Sequence, residues 1–121
     1  MRFLFLFLLM TTISSAQQKP NIIYIMSDDH DADAISAYNQ SFIQTPGIDR
    51  LAKEGIRFTN NFVSNSICGP VRATLLTGQH SHINGVKDNR TRFDSSRMTM
   101  PKVFQQNGYQ TAIIGKWHLH S

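Results

Sequence analysis

The chain has 121 residues, of which 12 are lysine or arginine, 8 are aspartate or glutamate and 1 is cysteine, giving a formal net charge of +4. This length allows one small domain at most, and a single cysteine excludes an internal disulfide framework. The basic residues are spread along the chain, without the arginine-rich run or aromatic-basic motif typical of nucleic-acid-binding proteins, so we expect no nucleic-acid partner.

The first 16 residues have the features of a secretory signal peptide. Arg2 supplies the positive charge, residues 3–10 form the apolar segment, and small residues precede a cleavage site after Ala16. The apolar run is shorter than the roughly 20 residues that a spanning helix needs, although a membrane anchor or a buried helix stays an alternative. We therefore expect a periplasmic or secreted bacterial protein, with a mature chain over 17–121 and no membrane segment after cleavage.

Three apolar runs in the mature chain predict strands. They are rich in β-branched and aromatic residues, and the first lacks the alternation of a half-exposed strand, which is typical of a strand buried on both faces of a parallel sheet. The predicted strands cover 22–26, 56–63 and 111–114.

Proline, threonine and glycine positions predict three helices between these strands. The first begins at Pro46 and stops at Gly55, and the second begins at Pro70 and stops at Gly78. The third follows Thr99 and stops at Gly108. A polar loop joins the second helix to the third, with a turn at residues 84–85.

The alternation of strands and helices predicts an α/β fold, with a mainly parallel sheet flanked by helices. No helix follows the last predicted strand, although a parallel sheet needs both faces covered. We therefore expect the sheet to be incomplete in this chain, with residues 17–121 forming the N-terminal part of a truncated domain.

Chemically active side chains follow each predicted strand. Asp28 and Asp29 follow the first, Cys68 follows the second, and Lys116 and His118 follow the last. Because ligands of parallel α/β sheets bind beyond the carboxyl ends of the strands, we expect these residues to meet at one edge.

The acidic doublet, Asp28 and Asp29, has two interpretations. Adjacent carboxylates at a buried strand end repel each other unless a cation balances them, and hard oxygen ligands favour Ca²⁺ or Mg²⁺. Alternatively the doublet belongs to a solvated acidic turn, since Asp31 and Asp33 follow directly.

Cys68 is placed before a predicted helix start, where amides and the helix dipole favour an anion and lower a thiol pKa. Arg72 lies about one helical turn later and could reach the same spot. The alternative is that Cys68 is a small buried hydrophobe.

Lys116 and His118 are two residues apart on an extended segment, so their side chains point to the same side. They could serve an active site, or they could mark an exposed strand end. Other basic residues are interpreted as surface or rim groups, and we expect no zinc site among them. These are His80, His82, Arg90, Arg92 and Arg97.

Taken together, these segments resemble the formylglycine-dependent sulfatases of the alkaline phosphatase superfamily. The resemblance rests on "PNIIYIMSDD", "TPGIDRLAKEGIRFTNNFV", "CGPVRATLLTG" and "GYQTAIIGKWHL", which occur in the family's order and cover nearly all of the mature chain. The stretch "GQHSHINGVKDN" is similar to that of bacterial sulfatases acting on glycosaminoglycan or mucin sugars, such as N-acetylglucosamine 6-sulfatases.

The resemblance implies a modified cysteine and a metal. Cys68 would be oxidised to formylglycine by a formylglycine-generating or radical maturation enzyme, which explains an unpaired thiol in an exported protein. Asp28 and Asp29 would bind Ca²⁺ together with an oxygen of modified Cys68, and the family's other metal ligands would lie beyond Ser121. The motif departs from the family at Val71, where serine is usual, while Cys-x-Pro-x-Arg is kept.

The resemblance also implies roles for the basic residues. Arg72 would hold the formylglycine hydrate, Lys116 would contact a sulfate oxygen of a sulfated carbohydrate, and His118 would orient the hydrate or assist proton transfer. Two alternatives to a sulfatase stay open. One is a phosphonate monoester or phosphodiester hydrolase of the same superfamily, and the other is an inactive remnant or carbohydrate-binding module.

Overall fold

The computed structural model of the protein describes residues 19–39 and 42–120. The predicted signal peptide over 1–16 lies outside these residues. A 3₁₀ helix and four α-helices follow one another in the described part: Ala32–Ala34, then α1 (Pro46–Glu54), α2 (Cys68–Thr77), α3 (Ser81–Asn84) and α4 (Met100–Gln106). None of the helices in these ranges is both long and apolar enough to cross a membrane.

Helix α1 has the predicted boundaries, with Thr45 as N-cap, Pro46 in the first turn and Gly55 as C-cap. The Thr45 side chain does not bind the helix amides. Its hydroxyl instead donates to Asp49 Oδ1 at 3.1 Å, and Ser36 donates to Asp49 Oδ2 at 2.6 Å. The start of α1 is therefore fixed through a side chain of its own first turn.

Helix α2 begins at Cys68, two residues before the predicted start at Pro70, so that prediction was wrong. Ile67 is the N-cap, and its carbonyl accepts from the Val71 N–H at 3.0 Å. Proline fits within the first turn because the amides there have no intrahelical acceptor. The predicted end is confirmed, since Gly78 caps the helix with a φ of 66°.

The later helices differ from prediction in detail. Helix α4 follows Thr99 as predicted but ends at Gln106, with Asn107 as its C-cap in place of Gly108. Helix α3 interrupts the segment that was predicted to be a loop, and Gly85 caps it with a φ of 87°. The predicted turn at residues 84–85 is therefore the end of a short helix.

The predicted strands are not formed within residues 19–39 and 42–120. A strand inside a parallel sheet is buried on both faces, whereas Ile23 is 83% exposed and Ile114 is 98% exposed. A strand also needs a neighbour to share its backbone hydrogen bonds, and in the described part these segments have none. The parallel sheet therefore stays a prediction.

A small apolar core joins α2 to the end of the described chain. Ala73 of α2 is buried with Val86, Phe93 and Leu119, and Leu76 packs against them. The Phe93 N–H donates to the Leu119 carbonyl at 3.0 Å. Because Leu119 is anchored in this way, the segment just before it is held beside α2.

We predict that Leu119→Ala lowers the free energy of unfolding by about 2 to 5 kcal/mol, the usual cost of truncating a buried leucine. Leu119 is 1% exposed. The matched control is Ile83→Ala in α3, where the side chain is 51% exposed and should cost less. Urea denaturation of both variants measures the difference, and equal losses would contradict this assignment of the core.

Candidate active site

Helix α2 places Cys68 and Arg72 one turn apart on the same side of the helix. The Arg72 side chain is only 15% exposed. Its Nη1 donates to the Lys116 carbonyl at 2.6 Å, across 44 residues of sequence. Arg72 therefore links α2 to the segment that the core anchors at Leu119.

Asp28 lies between the two cations. Its Oδ1 is 3.6 Å from Arg72 Nη2, and its Oδ2 accepts a hydrogen bond from Lys116 Nζ. The Cys68 side chain is close enough to this carboxyl to contribute to the lowering of its pKa. The structure thus brings together four of the residues singled out in the sequence, from three separate segments.

The contacts shift two pKa values in opposite directions. The hydrogen bond from Lys116 is the largest cause that lowers the pKa of Asp28, and the positive charge of Lys116 and Arg72 acts in the same direction. The same hydrogen bond raises the pKa of Lys116 above its usual value. Both groups are therefore charged at neutral pH, and the cluster is held as an ion-pair network.

A cleft of about 490 Å³ opens beside this cluster. Asp28, Arg72 and Lys116 line it together with apolar side chains from residues 22–26, from α2 and from α4. The Arg72 Nε is buried and has no hydrogen-bond partner among the described residues. A buried donor without an acceptor is costly, so this nitrogen is a polar group of the cluster that the described residues leave unsatisfied.

Asp29 and His118 are not part of this network of contacts. No hydrogen bond or ion pair within the described ranges joins either side chain to Asp28, Cys68 or Arg72. Both have left-handed backbones, with φ of 53° for Asp29 and 58° for His118, and such strain is concentrated at functional sites. The His118 Nδ1 is also buried without a partner in this part of the chain.

The described residues hold no group of three or more His, Cys, Asp or Glu side chains arranged for a metal. The chemistry of the acidic doublet nevertheless fits a hard cation. Asp28 already attracts two positive groups, and Asp29 adds a second carboxylate next to it. Calcium takes six to eight oxygen ligands, so these residues could supply only part of its coordination.

The predicted amide environment of Cys68 is only partly present. The N–H of Gly69, one of the amides at the start of α2, donates to Asn89 Oδ1 at 2.8 Å. On the other side of Cys68, the Ile67 N–H donates to Asn65 Oδ1 at 3.1 Å. Sequence reasoning missed the role of both asparagines. Asn65 lies outside the quoted motifs, and Asn89 ends the stretch "GQHSHINGVKDN" but is 20 residues from the amide that it binds.

Among the ion pairs of residues 19–39 and 42–120, none joins the remaining basic residues to Asp28. The rings of His80 and His82 stack with centroids 5.7 Å apart, and both are exposed. Arg97 pairs with Asp94 at 3.7 Å. The side chains interpreted as surface groups at positions 80, 82, 90 and 92 are exposed, whereas Val86 and Phe93 of the same stretch are buried in the core.

Comparison with known proteins identifies what the chain is similar to. A family model described as Sulfatase matches residues 20–121. The chain is 54% identical over 104 residues to an N-acetylglucosamine-6-O-sulfatase of Bacteroides thetaiotaomicron, covering 86% of this chain and 19% of the relative. It is 40% identical over 101 residues to an ulvan-active sulfatase of Formosa agariphila, covering 84% of this chain and 20% of the relative.

One solved structure has the same local fold. It is the structure of BT4656 in complex with its substrate D-glucosamine-2-N,6-O-disulfate, and it matches with a TM-score of 0.83 and 53% identity. The match covers 86% of this chain and 21% of that one. The chain therefore spans about a fifth of the length of the relatives that it matches.

We predict that Asp28→Asn lowers the pKa of Lys116 toward that of a free lysine, because the hydrogen bond and charge that raise it are weakened. An NMR titration of the Lys116 side chain measures the change. Asp94→Asn is the matched control, since Asp94 pairs with Arg97 and should leave Lys116 unaffected. An unchanged pKa in Asp28→Asn would show that this ion pair is not made in solution.

Proposed function

The chain belongs to the sulfatase family, and we propose that its Cys68 cluster is the nucleophile side of an active site that hydrolyses sulfate esters of sugars. The observation that carries the proposal is the meeting of Cys68, Asp28, Arg72 and Lys116 beside one cleft. The two relatives named as sugar or polysaccharide sulfatases support a sulfated carbohydrate as substrate. The substrate bound to BT4656 favours a sulfate on the 6-oxygen of a glucosamine unit.

The charge of the cluster suits this reaction. A sulfate ester is an anion, and an oxygen nucleophile that attacks its sulfur is repelled unless nearby cations offset the negative charge. Arg72 and Lys116 supply two such cations, and both line the cleft. Lys116 would exchange its contact with Asp28 for a contact with the substrate.

The nucleophile requires conversion of Cys68 to formylglycine by a maturation enzyme. One hydroxyl of the hydrated aldehyde would attack the sulfur and take up the sulfuryl group, while the sugar hydroxyl leaves with a proton. The second hydroxyl would then lose its proton, which re-forms the aldehyde and expels sulfate. An ordinary serine has no second hydroxyl and could form the ester without releasing it. His118, with its unpartnered Nδ1, would hold or move a proton at the hydrate.

We further propose that Asp28 and Asp29 bind Ca²⁺ together with the oxygen of modified residue 68. The ion would supply additional positive charge beside the sulfuryl oxygens. Export through the predicted signal peptide would place the enzyme in the periplasm or outside the cell, where sulfated polysaccharides are available.

We predict that Cys68→Ala in the full-length enzyme lowers kcat on the order of 10⁶-fold, the scale seen when a covalent nucleophile is removed. Ser66→Ala is the matched control, because this exposed residue lies two positions away and should keep its activity. Mass spectrometry of the wild type should show residue 68 lighter than cysteine. Wild-type turnover in Cys68→Ala would exclude the formylglycine mechanism.

The phosphoester alternative needs a separate experiment, because Arg72 and Lys116 would neutralise a phosphoryl group equally well. We expect the full-length enzyme to hydrolyse the 6-sulfate of N-acetylglucosamine faster than the 6-phosphate of the same sugar. A preference for phosphate would favour the phosphoester hydrolase, and no turnover of either ester with cysteine retained at residue 68 would favour an inactive remnant.

A further inference from the structure

The backbone on both sides of Cys68 is held by asparagine side chains. Asn65 Oδ1 accepts from the Ile67 N–H at 3.1 Å, and Asn89 Oδ1 accepts from the Gly69 N–H at 2.8 Å. Helix α2 has no side-chain cap of its own at Ile67. The two asparagines therefore replace a local cap and fix the turn that presents residue 68.

The Asn89 contact is tightly fitted. Gly69 is buried, and a Cβ on it would lie 3.1 Å from Asn89 Oδ1 and 3.6 Å from the Asp88 carbonyl oxygen. Asn89 is placed by its neighbour, since Asp88 Oδ1 accepts from the Arg90 N–H at 2.9 Å and the Thr91 N–H at 2.8 Å. These hydrogen bonds hold residues 88–91 in a turn, and this turn places Asn89 beside the start of α2.

The Asn65 contact is tied into the same segment. Asn65 Nδ2 donates to Ser81 Oγ at 3.3 Å and reaches the Lys87 carbonyl at 3.5 Å. Both asparagines therefore connect the Cys68 turn to the chain between α3 and residue 89. That chain includes Val86, which is buried in the core beside α2.

We propose that Asn89, assisted by Asn65, is a positioning residue that aims the side chain of residue 68 at the Asp28 cluster. It acts through the Gly69 amide and does not touch the substrate. Because Arg72 is in the same helix, an error in the start of α2 also moves its side chain relative to Asp28. This inference rests on the proposed sulfatase function for its effect on turnover, but the contact itself can be tested without activity.

The first test measures turnover of a 6-sulfated glucosamine by the full-length enzyme. Asn89→Ala should lower kcat between about tenfold and a hundredfold with KM unchanged, the scale expected when a reacting group is displaced by up to 1 Å. Asn89→Asp should restore kcat, because its carboxylate oxygen can accept the same hydrogen bond. Rates are divided by the fraction of residue 68 converted, which is measured on the tryptic peptide 58–72.

The control is Asn107→Ala. Asn107 also makes a side-chain hydrogen bond to the backbone, but its Nδ2 donates to the Val103 carbonyl at 2.9 Å, at the far end of α4. It should keep the wild-type kcat. If Asn89→Asp is as slow as Asn89→Ala, or if Asn89→Ala has the wild-type kcat, the positioning role is overturned.

The second test needs no activity. In full-length protein made without a maturation enzyme, iodoacetamide should alkylate Cys68 faster in Asn89→Ala and in Gly69→Ala than in wild type, because both changes release the turn. Gly47→Ala is the control for the second variant, since a Cβ on this α1 glycine meets nothing within 4 Å.

Together the two tests distinguish failure of the positioning role from failure of the proposed sulfatase function. Faster alkylation in both variants, in a protein that hydrolyses no sulfate ester, would support the positioning role of Asn89 and reject the proposed function. Unchanged alkylation in an active sulfatase would reject the positioning role of Asn89 and leave the proposed function standing.

Discussion

The candidate site depends on one carboxylate that is shared by two cations. Asp28 contacts Lys116 across 88 residues of sequence and also pairs with Arg72 of α2. Without Asp28, two positive side chains would face each other beside the cleft, and each would lose its main electrostatic partner. The pair of cations that Asp28 brings together is also what the proposed anionic ester would need.

The small core holds in place the segment that carries Lys116. Burial of Leu119 with Ala73 and Val86 holds the segment around Leu119 against α2. The segment between Lys116 and Leu119 therefore has little freedom, and the left-handed φ of 58° at His118 is maintained by its neighbours. Packing on one side and charge on the other place the segment without any contribution from a sheet among the described residues.

Local sequence signals predicted three of the four α-helices in the described part, with small errors at their ends, whereas the strands stay predictions. Proline and glycine act within one turn, so the ends of α1 near Pro46 and Gly55 could be read directly from the sequence. A strand depends on a partner that is distant in sequence, and the apolar segments at 22–26 and 111–114 have no such partner in the described part. Their exposed isoleucines leave the parallel sheet as a prediction.

The sequence by itself determined which chemical groups the site contains, because Cys68, Arg72, Asp28 and Lys116 belong to short motifs whose residue types define their chemistry. Only the tertiary structure decided how these groups are held. The hydrogen bond from Gly69 to Asn89 spans 20 residues and has no local pattern. Motifs record chemistry over a few residues, whereas positioning comes from contacts between segments, which become visible only when the chain is folded.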